Sequence, residues 1–392
     1  MQTLKSTVAT KPIPYGRQHI TKEDLEAVNE TLLSDFLTQG PKIAEFENKF
    51  ASYIGVKHAV AVSNGTAALH LAAAALGVNE QSNVITTPIT FAASANCVRY
   101  CGGNVFFADI DKDNYLVDLN KIEDLIRSKP EGFFSGIIPV DFAGRAVNLE
   151  DCKTLASKYK LWILEDACHA PGGYFTDSNG KKQFCGNSAY ADAAIFSFHP
   201  VKHIACGEGG MITCSSDAIF KDLTLLRTHG ITKDPDLLEE NHGGWYYEMQ
   251  ELGYNYRLTD FQAALGISQL KRADEGLGRR KEIARRYANA FDGLEKIPGQ
   301  SGYVEGHAYH LYIIEVEDRP GMYNHLRANN ILAQVHYIPV HTLPYYRRLG
   351  WKPGDFPVAE NYYKRCLSLP MYPTLTENEQ DYVIEKIKNY IS

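Results

Sequence analysis

The chain has 392 residues, 44% hydrophobic and 22% charged, with a formal net charge of −7 and a pI near 6.0. That size suits a soluble globular protein of two domains, and the acidic balance argues against a general nucleic-acid or polyanion binder while leaving room for a local cationic pocket. No run of eighteen apolar residues and no apolar signal core appear, so the expectation is a cytoplasmic protein without a membrane span.

Residues 1–12 read as a loose arm, followed by a large α/β domain over 13–265 and a smaller α+β domain over 266–392. In the large domain KHAVAV (57–62) reads as a strand, SNGTAALHLAAAAL (63–76) as a turn into a helix, and NVITTPI (83–89) as a strand. FAASANCVRYCG (91–102) reads as a helix and NVFFADI (104–110) as a strand. FSGIIPVDFAG (134–144) is a further strand, NLEDCKTLASKYK (148–160) a helix, and LWILEDA (161–167) a strand ending in two carboxylates. ADAAIFSFHPVK (191–202) and GGMITCS (209–215) predict a strand, a turn and a hairpin-like return. Strands alternating with helices imply a mainly parallel sheet, with reactive residues on the loops after the strands' carboxyl ends.

The spacing predicts one long helical run over 259–294, which holds the join between the domains. The segments 307–316 and 331–339 and a final helix over 376–391 complete the smaller domain. Eight cysteines without a Cys-x-x-Cys pair make no disulfide framework. Cys97 and Cys101 would suit zinc only with further converging ligands, so buried thiols and no metal are expected.

Three stretches carry chemistry. Ser63-Asn64-Gly65-Thr66 follows a strand and opens a helix, and free N–H groups with a positive dipole suit a phosphate, although the same residues are ordinary helix caps. Glu165-Asp166 ends an apolar run, so the carboxylates need partners; one candidate is a ring nitrogen that Asp166 keeps protonated, the other a structural cap. FSFHPVKHIACGEGG (196–210) sets Lys202 five residues after Ser197, ahead of a Gly-rich turn. Burial there would lower the lysine pKa and make a usable amine nucleophile and proton carrier, whereas an isolated lysine is more often a surface group. In combination, a lysine, an acid for a pyridine nitrogen, a phosphate cup (Gly65, Thr66, Ser197) and an aromatic ring (Phe91) are what pyridoxal 5′-phosphate (PLP) requires.

The chain also resembles the DegT-type sugar-nucleotide aminotransferases, PLP enzymes of the aspartate-aminotransferase fold (fold type I). The likeness spans nearly the whole chain and rests on SNGTAAL, TTPITFAASAN (86–96), ILEDACHA (163–170), SFHPVKHIACGEGG (197–210) and GYNYRLTDFQAALG (253–266). PVDFAGRAV (139–147), WYYEMQELGYNYR (245–257) and ILAQVHYIPV (331–340) are similar to the branch of the family that serves pseudaminic acid biosynthesis.

The resemblance implies that Lys202 holds the cofactor, that Asp166 pairs with its pyridine nitrogen, and that His169 approaches its phenolic oxygen. It implies phosphate contacts from Gly65, Thr66 and Ser197, and ring stacking by Phe91. Asn255 matches an asparagine that reaches the phosphate from the neighbouring subunit, which implies a homodimer with a shared site. Arg257, His336 and Tyr337 match segments that hold the substrate. It further implies L-glutamate as amino donor, alternation between PLP and pyridoxamine phosphate (PMP), and a UDP-linked 4-keto-6-deoxy N-acetylhexosamine as acceptor.

By their residue types alone His169 and Phe91 could also be interior packing, and Asn255 could end a turn. Trp245-Tyr246-Tyr247 could be a packed loop or part of a sugar pocket, while Cys168 and Cys206 read as small packing residues. Three rivals are weaker. A PLP-dependent sugar dehydratase of this fold would carry histidine at the position of Lys202. A non-catalytic PLP or sugar-nucleotide binder need not keep Lys202, Asp166 and Ser197 together. A nucleotide-binding oxidoreductase wants Gly-x-Gly-x-x-Gly after the first strand, where SNGTAAL stands.

Overall fold

The computed structural model describes residue 9, residues 11–294 and residues 303–392. Most of the arm expected over 1–12 lies outside the described residues. Ala9 itself is tied down, its N–H donating to the Tyr382 hydroxyl and its carbonyl accepting from Asn330.

A seven-stranded sheet carries the architecture. Across it the strands run His58–Val62, Gly210–Cys214, Ala193–Ser197, Trp162–Asp166, Gly136–Ile138, Asn83–Thr86 and Asn104–Phe107. All neighbours are parallel except Gly210–Cys214, which is antiparallel to both of its partners. That strand is the hairpin-like return expected after Ala193–Ser197. Ile163, Leu164 and Ala193 through Phe196 are fully buried, the continuous apolar pattern of strands covered on both faces. The Ala-rich helix Gly65–Ala75 packs on Ala193–Ser197 and Gly210–Cys214. Its small side chains let helix and sheet approach closely.

Several strands are shorter than the apolar runs suggest. The segment 134–144 forms only Gly136–Ile138 before a 3₁₀ turn at Phe142–Gly144, with Ala143 at φ +60°. The helical run 259–294 is two helices, Asp260–Leu270 and Ala273–Phe291, broken at Arg272 (φ −111°, ψ 9°). Asp274 and Glu275 occupy the first turn of the second helix, where acids favour a new amino end.

A second core gathers Ile13, Tyr287, Tyr312, Ile314, Leu326, Ile331, Leu367, Val383 and Ile387. There the antiparallel pair Tyr312–Glu315 and Cys366–Leu369 packs with the helices Arg319–Ala328 and Glu377–Ile391. The last helix is closed at its start by a capping box between Thr376 and Glu379. Ile13–Pro14 pairs in parallel with Ile331–Leu332, so the amino-terminal segment belongs to this second core. Among the described residues no helix is long and apolar enough to cross a membrane.

Candidate active site

Asp166 and Ser197 are the last residues of two adjacent parallel strands, and Gly65 begins the helix that follows a third. All three stand at carboxyl ends, where an open α/β sheet leaves a crevice. A cavity of about 820 Å³ fills it. Lys202, Asp166, Gly65, Thr66, Phe91, His169, Ser197, His336 and Tyr337 all line this cavity.

The Gly65 end of the cavity is built by close backbone approach. The Asn64 side chain caps the helix by accepting from Ala67 N–H at 2.8 Å, which leaves the first N–H groups, those of Gly65 and Thr66, without intrahelical acceptors. A Cβ on Gly65 would stand 2.9 Å from Ser197 Cβ, and a Cβ on Gly210 would stand 2.4 Å from the Asn64 carbonyl oxygen. The Gly-rich turn after Lys202 is therefore what lets the returning strand lie against the helix start. Donors from two elements converge on one point, and this cradle fits a phosphate.

At the other end the Asp166 carboxylate is 5% exposed. Its Oδ1 accepts the Cys168 N–H at 3.2 Å and its Oδ2 accepts the Ser94 hydroxyl at 2.6 Å. Ser94 Oγ lies 2.7 Å from Thr90 Oγ1, so the donors run Thr90 to Ser94 to Asp166. A carboxylate held by such donors fits a protonated ring nitrogen.

Lys202 sits in the turn after Ser197, its N–H donating to the His199 carbonyl at 2.8 Å. Burial pulls its amine below the ordinary lysine value, with Arg280 adding to the pull and Cys168 and Asp166 opposing it. Lys202 is thereby easier to deprotonate than a surface lysine. His169 Nδ1 accepts the Ala143 N–H at 3.2 Å, so its proton is on Nε2, which donates to the Tyr337 hydroxyl at 3.2 Å. Burial holds His169 well below the usual histidine range and Tyr337 well above the usual tyrosine range, so both are neutral. The Tyr337 hydroxyl keeps its own proton to donate. His336 is pushed down to about 3 by burial, and its Nδ1 lies 2.9 Å from Ser368 Oγ. Phe91 is 62% exposed at the cavity, a free ring face.

Asn255 and Arg257 do not line this cavity. Asn255 is exposed and bridges Thr228, while Tyr256 between them turns inward to the cavity and lies 3.0 Å from His70 Nδ1. Trp245 and Tyr247 are exposed and outside it. Sequence reasoning missed Ser94, Thr90, Tyr256, His310 and Tyr15. Ser94 lies inside the quoted segment TTPITFAASAN, but nothing in a linear pattern tells which of its hydroxyls meets Asp166.

Glu165 points to the opposite face of its strand from Asp166. It is fully buried beside Asp141 and Cys185, their ligand atoms within 4.8 Å of one another. Burial raises both carboxyl pKa values, Asp141 to about 6, and repulsion from Asp141 adds to the rise at Glu165. Gly186 N–H serves Glu165 Oε2 and Val147 N–H serves Asp141 Oδ1.

Residues 18–388 match the DegT/DnrJ/EryC1/StrS aminotransferase family. The chain belongs to that family. It is 39% identical over 388 residues to the spore coat polysaccharide biosynthesis protein SpsC of Bacillus subtilis, covering 97% of each chain. It is 36% identical over 395 residues to the UDP-4-amino-4,6-dideoxy-N-acetyl-beta-L-altrosamine transaminase of Campylobacter jejuni, covering 96% of this chain and 98% of that one. Among solved structures it is similar to Helicobacter pylori PseC, an aminotransferase involved in pseudaminic acid biosynthesis (TM-score 0.86, 30% identity, 97% and 99% covered). It is also similar to Spr1654 of Streptococcus pneumoniae in its PLP form (TM-score 0.87, 29% identity, 96% and 98% covered). The chain is thus a PLP-dependent sugar aminotransferase of fold type I. The dehydratase and oxidoreductase readings fall with that assignment.

Proposed function

We propose that this aminotransferase moves an amino group from L-glutamate to C4 of a UDP-linked 4-keto-6-deoxy N-acetylhexosamine. The product would be a UDP-4-amino-4,6-dideoxy sugar for pseudaminic acid biosynthesis. The observation that carries the reading is Lys202 in one cavity with Asp166 and the Gly65–Ser197 cradle. The likeness to the Campylobacter transaminase and to PseC supports the sugar.

In this reading Gly65, Thr66 and Ser197 bind the cofactor phosphate, Phe91 covers one ring face, and Asp166 holds the proton on the pyridine nitrogen. Bound PLP supplies an electron sink for the charge that develops at the donor's Cα. Lys202 holds the cofactor at rest, and its freed amine takes the proton from Cα. His169 and Tyr337 set a neutral donor chain on the phenolic side. His336 and Arg257 contribute to holding the substrate.

Asn255 completes the phosphate site from a second copy of the chain in a homodimer. Its exposure supports this, as do the exposed apolar residues Leu33, Phe36, Trp245, Met249 and Leu252.

The higher identity to a spore coat polysaccharide protein favours a second reading, an aminotransferase for another nucleotide-linked keto sugar. One experiment separates them. The PLP-loaded enzyme is converted with L-glutamate, freed of donor, and offered UDP-, dTDP- and GDP-linked keto sugars. Return of the visible cofactor band with the UDP 4-keto sugar, and a 4-amino product by NMR, is expected. Return only with another sugar would replace the first reading by the second.

A further inference from the structure

A second cavity, of about 370 Å³, meets the first at Lys202, the one described residue that lines both. It lies where the amino-terminal segment crosses the break between the helices Asp260–Leu270 and Ala273–Phe291. Its charged walls are mainly cationic. Arg17, Arg272, Arg279 and Arg280 face it, against the carboxylates of Glu275 and Glu282.

Most of this charge is accounted for. Arg272 pairs with Asp24, Arg279 with Glu282 at 2.9 Å, and Arg17 lies over the Tyr372 ring. Arg280 is different. It is 1% exposed, its Nη1 donates to the carbonyls of Met371 (2.8 Å), Tyr309 and His310 (both 3.3 Å), and its Nε has no partner. Among the described residues no carboxylate lies within ion-pair distance of it. A buried charge is ordinarily paired, because leaving it bare costs several kcal/mol. The desolvation is strong enough to pull the guanidinium pKa down to about 10.

We infer that the second cavity is a binding site for a small oxyanion, a carboxylate or an inorganic anion such as sulfate, with Arg280 at its base and Arg17 and Arg272 beside it. The cavity volume equals roughly a dozen waters, enough for such an anion with its solvent. A guanidinium fork is the side chain best matched to two anion oxygens. If Lys202 has the role proposed above, the anion also offsets the repulsion of Arg280 on Lys202 and favours the charged amine. The binding site itself does not depend on that reading.

Calorimetric titration of the PLP-loaded protein with sodium malonate, and separately with sodium sulfate in chloride-free buffer, tests the inference. Saturable binding is expected, weakened about tenfold to a hundredfold in Arg280→Gln. The same direction is expected in Arg17→Gln, an exposed position that decides the matter if Arg280→Gln does not fold. Ser197→Ala should leave this binding intact, since Ser197 faces only the first cavity. Malonate alone would identify a carboxylate site and both anions a general oxyanion site. No saturable heat, wild-type affinity in both arginine variants, or loss only in Ser197→Ala would overturn the inference. Amino transfer persisting beside such a result would leave the proposed function standing.

Discussion

Ser94 donates a 2.6 Å hydrogen bond to Oδ2 of Asp166 across 72 residues of chain. Ser94 begins its own contacts on a helix that no strand-end argument would select, and it meets the acid from outside the sheet. With Cys168 N–H on the other oxygen, it keeps the carboxylate aimed. Ser94→Ala should therefore leave PLP bound but slow the half-reaction with glutamate by about tenfold to a hundredfold, the size of a hydrogen bond to a charged group. Stopped-flow single turnover measures it, and an unchanged rate would remove Ser94 from the machinery.

Lys202 and Asp166 should separate by phenotype. In the proposed roles, Lys202→Ala removes the proton carrier, worth ~10²–10⁴-fold by itself, and also the anchor of the cofactor, so steady-state turnover should fall to near background. Turnover within tenfold of wild type would sink the assignment. Asp166→Asn keeps shape and loses charge, so the cofactor should still bind while deprotonation of glutamate slows severely.

The glycine at the base of the returning strand is a geometric requirement. A Cβ at Gly210 would meet the Asn64 carbonyl oxygen at 2.4 Å, and that backbone cannot move without shifting the helix start. Gly210→Ala should lower stability by ~1–3 kcal/mol and weaken PLP affinity more than a change at Gly244, where a Cβ meets nothing. Thermal melting and a PLP titration on both variants check this. Equal behaviour would show that the cradle tolerates the shift.

Stability should fall steeply as pH drops below about 6.5. His169, His203, His307, His310 and His336 are all held below the ordinary histidine value, chiefly by burial, with His307 and His336 near 3. Above pH ~6.5 folded and unfolded forms are both neutral at these rings. Below it the unfolded chain takes up protons that the fold refuses, and each costs up to ~1.4 kcal/mol per pH unit. Asp141 and Glu165 act with the opposite sign, because the fold keeps protons there that the unfolded chain releases. Five histidines outweigh two carboxyls, so melting temperature should decline from pH 6.5 towards 5. A flat profile would mean that these rings protonate in place.

Much of this molecule is visible along the chain, because its reactive groups stand where short-range patterns end. Asp166 closes an apolar run, Ser197 closes another, and Gly65 follows a third, so alternation of strand and helix already places them at one edge of a sheet. The same local physics marks the final helix, through the Thr376 capping box, and the return strand Gly210–Cys214. Other features depend on contacts between distant segments. The break at Arg272 is not written in the helical spacing of 259–294, which continues across it. Ile13 joins the second core only because it pairs with Ile331, far along the chain. Ser94 finds Asp166, Tyr337 finds His169, and Tyr256 rather than its neighbours turns inward, through packing angles that no periodicity records. The sequence by itself determined the α/β class and the order of the strand-end residues, and it singled out Lys202 as the candidate cofactor lysine, since strand ends rest on local hydrogen bonding and burial. Only the tertiary structure decided which partners orient them and offset their burial, because those energies depend on distances between side chains that the chain brings together last.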